Sequence, residues 1–512
     1  MGAGQRWCYE PHPADAGNRN ELAALGSKNR GLMNRTKERG VALILALILL
    51  LVLSVMALSL MFLSQTETWS SLNYRLMSQA RDGAEAGVNA AANFLMYGYT
   101  PPGGAGDALS NYTMTASPVT YSNSPVILSA NSNMSSNYPV SSVQNSFNTA
   151  GQGGLTAGYT TVNYGAYATL LSMQQVSVYG STTPATIQTW QITSDGSING
   201  IRNAHAEVSA ILERAITPVF TYAVFATSNG CSALTFGGGG TTDSYDSGTV
   251  VGGVASTQAY GGNVGTNGNL STSGNPTTIN GSLSTPRAGV GTCTANNVTA
   301  WTDNQGKVTG GLIELPQPIS YPPPDPPSPA PPTTNVNVNN GNCSGTPGCV
   351  GDKGTYTFAP GSYGNVSLNG GATLHLTAGT YNINSLTEAG QGTIVVDSGP
   401  VILNVAGTSV SGAVVDLTGG GVTNASLVPM NFQILYAGSG TVKLKGGGQA
   451  SGLMYAPNAT FSFGGGGSWY GAIIGQTMAD MGGAAIHYDR RLQNTAFSIG
   501  NFMLTSFTWK KY

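Results

Sequence analysis

Charge is what this 512-residue sequence has least of: Asp, Glu, Lys and Arg together make up 8% of it, against roughly a quarter in ordinary soluble domains. Beyond residue 40, thirteen Lys/Arg face eighteen Asp/Glu. Such a balance gives no basic face on which phosphates could be neutralised, so nucleic acid is not expected as a partner. Four histidines and five cysteines lack the short two-residue spacings of a zinc site, and no metal or cofactor is expected. The glycine runs 237–240 and 464–467 are not followed by Lys-Ser/Thr, which excludes a phosphate loop. They also lack the regularly placed Asp of a calcium-binding nonapeptide. Charges in the repeat region are sparse, Glu388, Asp397, Asp416, Lys443, Lys445 and Asp480 among them. None recurs at a spacing that puts two carboxylates at one repeat position, so a catalytic pair is not expected and the protein reads as a non-enzyme.

What is present is glycine, 72 of them, among abundant Ser, Thr and Asn, with 40% hydrophobic residues. Disorder needs low hydrophobicity and high charge, and neither holds. The composition predicts a mostly β protein with many tight turns. It also contains one long apolar run. Residues 41–63, "VALILALILLLVLSVMALSLMFL", carry no charge and are interrupted only by Ser54 and Ser59. As a helix they span roughly 35 Å, enough to cross the hydrocarbon core. A buried core helix would keep a polar stripe over six turns, and a cleaved secretory signal would be shorter. Arg35, Lys37 and Arg39 stand just before the run and predict a cytoplasmic N-terminus, a single pass through the inner membrane and an exported C-terminal bulk. Beyond the run, Leu72, Leu76, Ala80, Ala84, Val88, Ala91 and Leu95 recur at spacings of three and four. One helix is therefore predicted to continue as an amphipathic half to about Met96, ended by Gly98 and Pro101-Pro102.

A basic leader ending in Gly40, an uninterrupted apolar half-helix and a continuing amphipathic half resemble a type IV prepilin. "ERGVALILALILLLVL" followed by "ARDGAEAGVNAAANFL" is most similar to the PilX-type minor pilins. The resemblance implies processing by prepilin peptidase between Gly40 and Val41, and other pilins or minor pilins as partners. "MNRTKERG" from Met33 is a complete leader of this kind, which makes residues 1–32 an upstream extension, or else part of a long leader. In major pilins the fifth mature residue is a glutamate; here that position is Leu45. The departure favours a minor subunit, perched at a filament tip.

The remaining chain is predicted as a β region over 98–230, a Gly/Asn/Ser-rich solenoid part over 231–315, a Pro-rich linker over 316–334, solenoid repeats over 335–490 and a C-terminal cap over 491–512. "TIQTWQITSDGSINGIRNAHAEVSAILER" reads as a hairpin turning at "SDGSING". Its second strand alternates through Ala204, Ala206, Val208, Ala210 and Leu212, with His205 on the outward side. Val264, Leu270, Ile279 and Leu283 are strand positions between turns. "PQPISYPPPDPPSPAPP" holds ten prolines between Pro316 and Pro332 and forms a semi-rigid connector. After it, "TYTFAPGSY", "TLHLTAGTY" and "TIVVDSGPV" share one template, aligning Tyr356, Leu374 and Ile394, then Phe358, Leu376 and Val396, then Tyr363, Tyr381 and Val401. A second series at offset 19 aligns Val442 with Phe461 and Leu444 with Phe463, and departs at Asp480 and Gly482. Such a period is one β-solenoid coil. "HYDRRL", from His487 to Leu492, is read as a polar cap at the solenoid's end. Cys8 falls in the leader region; Cys231, Cys293, Cys343 and Cys349 are an even set suited to disulfides, with three pairings open.

The fold class is thus mostly β with a long N-terminal helix, a pilin-like helix plus β-sheet region followed by a β-solenoid head. The function expected is that of a minor pilin-like subunit of a type IV pilus or related secretion filament, reaching the cell surface after assembly. Its head would adhere, with surface carbohydrate as the candidate ligand. A static membrane-tethered adhesin is the alternative; a carbohydrate-active β-helix enzyme is a third.

Overall fold

The computed structural model describes residues 38–511 apart from 105, 158–159, 201, 303–306, 342, 344–348, 448, 464 and 480–481. The leader up to residue 37, Met33, Cys8 and Asp480 lie outside the described residues. The chain forms two compact units, residues up to Arg75 and Leu76–Tyr512. It is mostly β, with one long helix, α1 (Glu38–Asn93), which ends in a single wide turn at Phe94–Gly98. Gly98 and the two prolines that follow remove the helical option there.

In the second unit the amphipathic part of α1 lies on an antiparallel sheet. The sheet orders Ile127–Ser129, Thr160–Val176, Ala185–Ile198, Ala204–Pro218 and Phe497–Lys511, with Gln152–Ala157 paired to Thr160–Val176. Ala84, Val88, Ala91 and Leu95 of the helix share one core with Trp190, Ile192, Val208, Ala210 and Leu212 of the sheet. Small residues let the helix come close: a Cβ on Gly83 would strike Val162, and one on Gly87 would strike Ser194. The hairpin differs from its sequence reading in one respect. "SDGSI" remains strand to Ile198, and the next strand begins at Ala204. Gly196 is no turn residue; a Cβ there would collide with the Ala80 carbonyl of α1. A glycine that marks a turn and one that admits a helix look alike in sequence.

The solenoid is one stack, not two. Between Pro218 and Phe497 the chain leaves the sheet and returns to it, and the two ends meet where Val219 N–H donates to the Ala496 carbonyl at 2.9 Å. Coils from 224 to 314 wind in one direction: Val224 pairs with Val264, Val264 with Leu283 and Leu283 with Leu312. Coils from 335 to 489 form the other half, and their last coil lies against the first coil of the early half. Ile473 pairs with Val224, and Thr241–Tyr245 runs parallel to Ala485–Asp489.

The Pro-rich stretch is the return path. Ile319 exchanges two hydrogen bonds with Asn267, the Pro322 carbonyl accepts from Tyr455 Oη at 2.6 Å, the Pro329 carbonyl accepts from Asn382 and the Thr334 carbonyl from Asn365 N–H. Residues 264, 224, 473, 454, 434, 403, 381 and 361 trace one column, so the stretch passes seven strand spacings. At about 4.8 Å each that is roughly 34 Å. The fifteen residue steps from Ile319 to Thr334 reach about 46 Å as polyproline II, so the strap spans the distance with slack.

Within the repeats, Tyr356, Leu374 and Ile394 stack as aligned, as do Phe358, Leu376 and Val396. The next column is shifted: Tyr363 pairs with Ile383 and Tyr381 with Leu403. A slip of two keeps every side chain on the same face, so the pattern hides it. The departure in the offset-19 series has the same origin. A bulge between Ala456 and Thr460 shortens the coil, and Phe461 pairs with Met478, an apolar residue that takes the inward place. The C-terminal segment, expected as a cap, is instead the edge strand Phe497–Lys511 beside Ala204–Pro218. Disulfides join Cys231 to Cys293 and Cys343 to Cys349.

Candidate functional site

The apolar part of α1 is built to lie in an apolar surrounding. From Val41 to Leu63 its large side chains are exposed, Leu45 to 61%. The two hydroxyls in this run satisfy themselves: Ser54 Oγ donates to the Leu50 carbonyl at 2.7 Å and Ser59 Oγ to the Val55 carbonyl at 2.8 Å. No polar group of the run therefore loses a partner on leaving water. Thr66 and Thr68 continue the pattern onto the Phe62 and Ser64 carbonyls. Mean hydropathy over the most apolar window is 3.2, and this is one helix among the described residues long and apolar enough to cross a membrane. Gly40 and Val41 sit in the first turns of α1, just before the apolar run. Leu45 places no carboxylate in the run.

The head gathers its charges around one stretch that the sequence did single out and partners that it did not. His487 and Asp243, 244 residues apart, meet through Nδ1 and Oδ1. The His487 ring stacks on Tyr470 with centroids 4.5 Å apart. Asp489 accepts from Ser247 N–H at 3.1 Å, and burial raises its carboxyl above the ordinary range. Asp246 binds Arg491, which with the Gly248 amide holds its carboxyl low. This is the "HYDRRL" cluster, and it is no end cap. It lies mid-stack, where the first coil of the solenoid docks on the last. Each of its acids is occupied by a donor across that junction, so the arrangement joins coils.

A second acid was missed as special. Glu388 is 4% exposed; its Oε2 accepts from Gly421 N–H at 2.8 Å and its Oε1 has no partner among the described residues. Burial pushes its pKa up to about 8, with nearby Asp416 adding to the shift. Asp416 sits on the adjacent coil, where it pairs with Thr387. Asp416 is thus a diagonal neighbour of Glu388, and the two carboxylates do not share one coil position. No group of three or more metal-ligating side chains occurs among the described residues. His205 faces outward at Asp195, 3.4 Å away.

Residues 39–89, the N-terminal helix, match the PilX N-terminal family. The N-terminal segment is similar to that family. Residues 327–495 match a domain of unknown function, DUF7305, which covers the later coils of the solenoid and part of the strap. No curated protein matches the sequence. Among solved structures, the competence-associated pilin ComZ from Thermus thermophilus aligns at 16% identity over 85% of this chain and 98% of its own, with a TM-score of 0.25.

Proposed function

We propose that the protein is a minor pilin-like subunit that takes part in assembling a type IV pilus or a related secretion filament. The observation that carries this reading is the unbroken α1, uncharged from Val41 to Leu63 and continuing as the stripe Ala84, Val88, Ala91 and Leu95 that packs on the sheet. In this reading the apolar half anchors in the inner membrane with residues 1–40 on the cytoplasmic side. Prepilin peptidase cuts between Gly40 and Val41, and the freed helix packs among other pilins. Leu45 in place of an acid removes one electrostatic reason to dock beneath another subunit, which suits a tip position. The solenoid is the exposed, non-enzymatic head and serves adhesion, with surface carbohydrate as its ligand.

The test is the N-terminal residue of the membrane-extracted protein, read by mass spectrometry with and without Gly40→Asp. A mature chain beginning at Val41, with the cut abolished in the variant, is the expected result. An intact leader in both samples overturns the pilin reading and leaves a tethered surface protein.

A further inference from the structure

Where the strap leaves the solenoid it roofs a cavity of about 980 Å³ against the sheet, walled by the 178–185 segment, strand ends at 214–222 and 498–500, and strap residues 315–325. That is the upper end of the range for ligand sites. Three observations fix what it would accept. First, Arg214 lines it, half-buried. Its Nε donates to the Gly500 carbonyl at 3.1 Å and its guanidinium packs on Phe502, but no carboxylate pairs with it among the described residues. Burial works against its charge. The terminal nitrogens are left for a planar anion, the geometry a carboxylate fits.

Second, the roof is rich in acceptors and poor in donors. Pro316 and Pro318 have carbonyls and no N–H, and neither carbonyl accepts a bond from the described residues. A ligand that donates several hydroxyls matches this roof. Third, Tyr179, Tyr222 and Tyr321 contribute half-buried rings, apolar surfaces suited to the face of a sugar ring. The one acid in the lining, Asp325, is held by Thr182 N–H at 2.7 Å and by the Ser181 and Thr182 hydroxyls, and so does not answer Arg214.

We propose that this cavity binds an acidic saccharide of the uronic-acid type, its carboxylate on Arg214 and its hydroxyls on the strap carbonyls. This gives a chemistry to the adhesive role proposed above and rests on that reading, though its test is independent of processing at Gly40. The full chain in detergent micelles is titrated calorimetrically with trigalacturonate and with neutral trigalactose of the same length. Saturable binding of the acid alone is expected, weakened at least tenfold in Arg214→Gln and by raised salt, and partly kept in Arg214→Lys. Gln317→Trp, on the exposed strap, fills the cavity without touching Arg214 and should also abolish binding, so a folding failure of the arginine variants does not shield the idea. Equal binding of both sugars, binding of neither, or full binding by Gln317→Trp overturns it. If the sugar fails while the N-terminus is found at Val41, the inference falls and the pilin reading stands.

Discussion

Glu388 shows how one buried acid ties stability to pH. Its folded pKa of about 8 lies above the ordinary 4.5, so the folded protein keeps a proton that the unfolded chain gives up. The stability this group contributes is complete below the lower value and is lost as pH rises through the upper one. Within that window the slope is about 1.4 kcal/mol per pH unit. Glu388→Gln keeps an acceptor for Gly421 N–H and cannot ionise. Denaturant unfolding at pH 5 and pH 8.5 should therefore show a smaller loss of stability in the variant than in the wild type. Equal losses would mean that the carboxyl finds a partner or water when it ionises. Nothing in the sequence set Glu388 apart from the other sparse acids. Its burial comes from the loop at Gly419–Gly421 folding over it, where a Cβ on Gly419 would strike the Glu388 side chain.

At the scale of elements, the contact between α1 and the sheet depends on glycines. Gly196→Ala drives a methyl into the Ala80 carbonyl, and overpacking of this kind costs about 3 kcal/mol. A clear fall in the thermal midpoint of the detergent-solubilised protein is expected; an unchanged midpoint would show that helix and sheet can move apart freely. The elements also show where periodicity is informative. The helical stripe from Leu76 to Leu95 and the alternation from Ala204 to Leu212 were both readable, because each has a core on one side and water on the other. The register of the coils was half readable. Inward parity survives a slip of two residues, so the pairing of Tyr363 with Ile383 left no trace in the apolar pattern. The turn at "SDGSING" was misplaced because Gly196 serves packing there.

For the whole molecule, the feature of most consequence is that residues 224–314 and 335–489 complete one another across the pairing of Thr241–Tyr245 with Ala485–Asp489. Tyr488 Oη adds a bond to the Phe220 carbonyl, and Tyr245 Oη one to the Leu427 carbonyl. Both disulfides lie within a half: Cys231–Cys293 in the early one, Cys343–Cys349 in the late one. Neither bridges them. A protease site inserted between Pro326 and Pro327 should thus give a nicked protein whose fragments stay together on native electrophoresis and separate in denaturant without reductant. Fragments that part under native conditions would show that the strap, and not the coil junction, holds the head closed.

The sequence by itself determined what is local. An uncharged run of membrane length, an amphipathic continuation, strands of alternating or phased apolar residues and a proline segment that cannot join a ladder all follow from side chains and backbone rules within a few residues. The tertiary structure alone decided which of these segments meet. The docking of the last coil on the first, the return of Phe497–Lys511 to the sheet, the path of the strap, and the gathering of Asp243 with His487 and of Arg214 with Ser498 join residues hundreds of positions apart. A parallel coil presents the same unpaired edge to any neighbour. Which edge it finds is set by the whole stack's closure and leaves no mark on the residues of either edge.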